Sequence, residues 1–247
     1  MTEASRLARA IAATWPPTRA VSIGPFLVPS TGGGGNRVTA ARLSDVASDG
    51  TDVTEAQIEA VARARSATGG EALFMVFGWQ DALDRRLERA GYRGRDATDM
   101  LLGPVAGIAE APPPVRCFET WPPLAITEEI WSDGGIGPDR LAVMHRAKGP
   151  KTTLLGRMGD RPAGAAFIAM DPPFAMLHAL EVRPGARRQG LARLMVRAAA
   201  HWAEANGAEH LAVLVTRDNA AAQALYAGLG LGAVGRYHYR VRSTLEA

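Results

Sequence analysis

The chain has 247 residues, 47% of them hydrophobic, a formal net charge of +3 and a single cysteine, Cys117. That is ample apolar material for packed cores, and one cysteine excludes an internal disulfide framework, which suits the cytoplasm. The mild, dispersed positive charge argues against a nucleic-acid partner. No apolar run approaches the roughly 18 residues that would cross a membrane, and the start Met1-Thr2-Glu3-Ala4-Ser5-Arg6 has no apolar h-region behind it. A cytoplasmic protein with no membrane partner is therefore expected.

In chain order, the pattern predicts a helix from about Glu3 to Ala13. Strands follow near Ala20–Val28 and Val38–Leu43, joined by a flexible hairpin loop at Gly32–Gly35. That loop precedes Asn36-Arg37, but it lacks the Lys-Ser/Thr of a phosphate-cradling P-loop. Thr54-x-x-Gln57 reads as a capping box opening a helix. The strand Ala72–Phe77, a helix Asp81–Ala90 closed by Gly91 and a strand Asp99–Gly103 come next. Ala111-Pro112-Pro113-Pro114 is a stiff seam. Beyond it, helices are expected at Ile126–Trp131 and Asp139–Ala147, and a hairpin at Thr152–Met158 and Ala163–Met170. Trp-Pro-Pro occurs twice, at Trp15 and Trp121.

The strand Phe174–Val182 then runs into Arg183-Pro184-Gly185-Ala186-Arg187-Arg188-Gln189-Gly190-Leu191-Ala192. A loop of this kind aims free backbone N–H groups, a helix dipole and guanidiniums at one point, which is how a pyrophosphate is held. Leu191, Leu194, Met195, Ala198 and Trp202 share one helical face, and Asn206-Gly207 closes the helix. The strand Leu211–Val215, the turn Thr216-Arg217-Asp218-Asn219 and a helix carrying Ala224-Leu225-Tyr226 follow. Leu229-Gly230-Leu231 ends that helix before a last strand.

Arg187-x-x-Gly190-x-Ala192 resembles the acyl-CoA signature of the GNAT superfamily of N-acyltransferases. Asn219, Tyr226 and the Leu229-Gly230-Leu231 step are similar to that family's next signature, and the likeness covers roughly residues 152–240. It implies an α/β (α+β) fold, a mixed, mostly antiparallel sheet flanked by helices. It also implies direct acetyl transfer from acetyl-CoA to a primary amine, with no metal and no covalent enzyme intermediate. The donor would be held by the strand at Leu180, Glu181 and Val182 and by Arg187, Arg188, Gln189, Gly190, Leu191, Ala192 and Arg193, with Asn219 and Tyr226 alongside.

Tyr226 is implied as the general acid for the leaving thiolate, its alternative being a packed helix tyrosine. Members of the family carry a basic glutamate where this chain has Leu214 or Met176. His178 and Glu181 are the titratable groups left nearby. His178 is either the base or a hydrogen-bonded sheet histidine, and Glu181 reads as a salt-bridge partner. Strand alternation puts the two on opposite faces unless a bulge intervenes. Tyr237, His238 and Tyr239 either line an acceptor pocket or simply pack.

Residues 1–110 echo the second half weakly and lack its signature, so they are expected to be a degenerate companion domain to a catalytic domain at 111–247. The expected acceptor is a small-molecule or peptide amine, and exposed sheet edges make a homodimer an expectation. The alternative function is a catalytically silent sensor or scaffold that binds CoA or acyl-CoA.

Overall fold

A computed structural model describes residues 2–30 and 33–242. Helix α1 (Glu3–Thr14) is capped by the Thr2 side chain, and it buries Leu7, Ala8 and Ile11. The stretch expected as one strand at Ala20–Val28 is a hairpin of β1 (Ala20–Ile23) and β2 (Phe26–Pro29), because Gly24 turns the chain at φ +55°. Val38–Leu43 is likewise not one strand. It divides into a single helical turn, α2 (Asn36–Thr39), and a two-residue strand, β3 (Arg42–Leu43).

The capping box opens α3 (Glu55–Ser66) as expected: Gln57 N donates to Thr54 Oγ1 while Thr54 N donates to Gln57 Oε1. Then come β4 (Ala72–Phe77), α4 (Asp81–Arg89) and β5 (Arg93–Pro104). After the proline seam, β6 (Cys117–Thr120) is an unforeseen edge strand, followed by α5 (Ala125–Asp133) and α6 (Pro138–Arg146). The hairpin is β7 (Lys151–Met158) and β8 (Arg161–Asp171), and β9 (Phe174–Val182) leads into α7 (Leu191–Ala205). β10 (His210–Thr216), α8 (Ala220–Ala227) and β11 (Gly232–Arg242) complete the order.

β1–β3 make a small sheet tied to the main one by a parallel bridge from Ala41 to Phe74. The main sheet runs β4-β11-β5-β10-β9-β8-β7-β6. Its pairings are antiparallel except for β9 with β10, so it is the mixed, mostly antiparallel sheet expected. The units β4-α4-β5 and β10-α8-β11 exchange strands: β11 lies between β4 and β5, and β5 between β11 and β10.

Alternate residues of β4 show how the layers form. Ala72, Phe74 and Val76 pack with Ile58, Val61, Leu83 and Leu87 of α3 and α4, whereas Leu73, Met75 and Phe77 pack with Leu7 and Ile11 of α1. In the second half, Leu177, Leu211 and Val213 meet α7, while Met176 and Ala212 meet the α1 side. Among the described residues no helix is long and apolar enough to cross a membrane.

Residues 33–35 do not form a hairpin loop, and Gly32 lies outside the described residues. The segment docks on α6 instead. A Cβ on Gly34, whose φ is +113°, would sit 2.7 Å from Val143 Cγ2. That seating fixes where α2 emerges.

Candidate functional site

β9 and β10 pair side by side only from Phe174/His210 to Leu177/Val213, although both strands continue. The ladder ends where β9 bulges. Its register against β8 slips between Ala165 and Phe167, and Ala179 adopts φ +51°, a left-handed conformation costing an alanine about 1 kcal/mol. The indole N–H of Trp131, fully buried on α5, donates to the Ala179 carbonyl at 2.7 Å and holds the bulge. The extra residue turns His178 and Glu181 to the same face, towards Trp15 and the end of α5 respectively. Past Leu177, the edge of β9 away from β8 opens onto a cleft of about 880 Å³.

At the far end of the cleft the chain turns into α7. Arg188 and Gly190 both take positive φ, +62° and +83°, so successive N–H groups converge in a nest at a helix N-terminus. Among the described residues, chain neighbours aside, a Cβ on Gly190 would meet no atom within 4 Å, so it is the backbone conformation that demands the glycine, and the space before it is open. The first N–H groups of α7 have no partner within the helix. Arg187 braces the loop, donating to the Val182 carbonyl at 2.8 Å and to Glu181 Oε1 at 2.9 Å. Arg193 donates to the Gly228 carbonyl at 3.1 Å.

Tyr226 faces the same cleft from α8. Burial pushes its phenol up to about 12. Asn219 caps α8, its side-chain oxygen accepting from Ala222 N at 3.0 Å. Leu214, Val215 and Thr216 of β10 form the facing wall.

His178 sits on the inner wall, buried. Arg37 donates to its Nδ1 at 3.2 Å, so the proton is on Nε2, which donates to Thr14 Oγ1 at 3.0 Å. Thr14 in turn donates to the Ala10 carbonyl at 2.8 Å. Burial, and then the Arg37 charge, hold the imidazole pKa well below its usual 6.5. The ring is therefore neutral, with both nitrogens engaged.

Residues 115–231 match the model of the Acetyltransferase (GNAT) family. That segment is a GNAT-family domain, and the match supports membership of the GNAT superfamily. An uncharacterised N-acetyltransferase of Bacillus subtilis, YobR, is 34% identical over 56 residues, a match spanning 23% of this chain and 23% of that protein. A GCN5-related N-acetyltransferase from Kribbella flavida superposes with a TM-score of 0.74 at 18% identity, covering 99% of this chain and 98% of that one. A tandem GNAT protein from the clavulanic acid biosynthesis pathway gives 0.60 at 13% identity, covering 94% and 86%. At these identities the two structures speak for the fold.

On this GNAT framework Leu180, Glu181, Val182, Arg187, Arg188, Gly190, Leu191, Ala192, Arg193, Asn219, Tyr226 and His178 all border the one cleft. Gln189 is turned back, donating to the Gly185 carbonyl at 2.9 Å. Tyr237 and Tyr239 are buried under α1, and His238 pairs with Asp84 at 2.8 Å, away from the cleft. Cys117 lies on β6, its thiol pushed up to about 12 by burial.

Thr14 escaped the sequence reading, which noted Arg37 and Trp15 without assigning either to the site. Arg37 follows the glycine run directly, which was the available signal. Nothing local ties it to His178. The two Trp-Pro-Pro tryptophans converge on Phe167, with ring centroids at 6.1 Å for Trp15 and 5.8 Å for Trp121.

Proposed function

We propose that the protein is an acetyl-CoA-dependent N-acetyltransferase that moves an acetyl group directly to a primary amine. The observation that carries this reading is that one cleft brings together the unpaired edge of β9, the N–H nest before α7 and Tyr226. The edge of β9 offers N–H and C=O groups to the amides of a pantetheine arm, as an added strand would. The nest and α7 suit the pyrophosphate, with Arg188 the cation left to face it. N–H groups beside the Ala179 bulge polarise the thioester carbonyl as charge develops on its oxygen. Tyr226 hands its proton to the departing sulfur.

We place the donor site in the second half alone. The loop before α3, residues 44–54, carries Asp45, Asp49 and Asp52 and no Lys or Arg, so it repels phosphate. This fits a degenerate companion at residues 1–110.

No carboxylate stands at the position of Leu214 or Met176, and the Nδ1 lone pair of His178 is taken by Arg37. His178 acts as base only if Arg37 releases it. Otherwise the amine enters as the free base or loses its proton to water. That same engagement favours the second reading, a CoA-binding sensor without turnover.

Calorimetric titration of acetyl-CoA into the wild type and Gly190→Glu, followed by an amine screen, tests both readings. Binding lost in a folded Gly190→Glu together with acetylation of an amine supports the enzyme. Binding without acetylation of any amine supports the sensor, and no binding by the wild type removes both.

A further inference from the structure

We propose that the acceptor carries a carboxylate beside its amine, as an amino acid does, and that Arg37 recognises it. This rests on the acetyltransferase reading and names the substrate class of the same cleft.

Arg37 comes from α2, in the first half of the chain, yet it forms part of the cleft wall with Tyr226. It is a positioned group. Its guanidinium is bonded to His178 Nδ1 and lies 5.6 Å from the Trp15 ring centroid, and α2 is set in place by the glycines docked on α6. Among the described residues the partners of the Arg37 side chain are His178 and the Trp15 ring, no carboxylate pairs with it, and its Nε–H is buried without an acceptor. The one carboxylate in the cleft wall among the described residues, Glu181, is taken by Arg187.

A part-buried guanidinium lacking a counter-ion is costly to hold. The complement to its flat fork of donors is a planar anion with two oxygens. The donor's phosphates do not serve. Arg37 meets β9 at His178, whereas the nest begins beyond Val182, on the order of 10 Å along the strand at its rise of about 3.3 Å per residue. At the His178 end the bulge and the open strand edge mark where the thioester carbonyl is presented, so an anion on Arg37 lies on the acceptor's side. A polyamine would instead meet an unshielded positive charge there.

The test is a panel of amino acids, each matched with its amide and its decarboxylated amine, assayed with acetyl-CoA against the wild type, Arg37→Met and Arg37→Lys. At least one acid should be acetylated with kcat/KM about 10- to 100-fold above its amide, the value of a charged hydrogen-bonded pair. That preference should vanish in Arg37→Met and survive in part in Arg37→Lys, with acetyl-CoA affinity unchanged in both. Arg37→Lys keeps the charge, so it decides the matter if Arg37→Met misfolds. Amides and decarboxylated amines used as well as acids, or a preference that persists without Arg37, overturn the proposal. So does a protein that binds acetyl-CoA but acetylates no member of the panel, and there the donor site stands. Failure to bind acetyl-CoA instead removes the underlying acetyltransferase reading.

Discussion

Asp84 of α4 and Arg240 of β11, 156 residues apart in the chain, form a two-pronged ion pair: Nε to Oδ1 at 2.7 Å and an Nη to Oδ2 at 3.0 Å. His238 adds a contact to the same carboxylate at 2.8 Å. Burial pushes the Asp84 carboxyl up, but Arg240 and His238 outweigh it and the net shift is downward. Arg240→Met should therefore cost about 2–3 kcal/mol of stability, measured by urea unfolding at neutral pH. A carboxyl held below its unfolded value stabilises above that value, and the contribution is lost as pH falls through the folded pKa. Asp84→Asn should flatten the wild type's loss of stability below about pH 4.

His178 gives a second pH signature of the same sign. Its folded pKa lies below the unfolded 6.5, so the unfolded chain takes up a proton that the folded chain refuses. Stability contributed by neutral His178 is complete above about pH 6.5 and is lost below it, with a slope of up to about 1.4 kcal/mol per pH unit. Unfolding free energies between pH 5 and 8 should show this slope in the wild type and lack it in His178→Gln.

For Tyr226, substitution by Phe should lower kcat by about 100-fold or more while acetyl-CoA affinity holds. With the phenol pushed up to about 12 by burial, the kcat/KM profile should show no falling limb from Tyr226 between pH 8 and 11. A limb near 10 that disappears in the Phe variant would mean the phenol is not desolvated in the free enzyme.

Trp131→Phe removes the indole N–H that fixes the Ala179 carbonyl. Loss of one buried hydrogen bond should cost about 1–2 kcal/mol. If the bulge relaxes with it, kcat should fall although residue 131 touches no substrate. Unfolding midpoints measured beside kcat separate the two effects.

The second half was legible because its signals are local. The Asn206-Gly207 stop, the helix after the Thr216–Asn219 turn and the strand Phe174–Val182 each declare themselves within a few residues, and the structure places them as read. What escaped depends on partners far away. β3 is two residues long and exists through its pairing with β2. β5 begins at Arg93, six residues before the apolar stretch that marked it, because β11 supplies hydrogen bonds to its polar start. The Ala179 bulge has no sequence mark, yet it decides on which face His178 and Glu181 lie. Arg37 joins the site through tertiary packing, of the glycine segment on α6 and of Ala41 against β4.

The interleaving of β11 with β4 and β5 makes closure of this half of the sheet a long-range event. β4 and β5 are neighbours in the chain but stand a strand apart in the sheet, and the strand between them, β11, comes from the far half of the chain. Without β11 the facing edges of β4 and β5 would both be bare, and such edges pair readily with other chains. Long-range closure of this kind is slow. In this half of the sheet the keystone is β11, an interior strand that joins two segments distant from it in sequence.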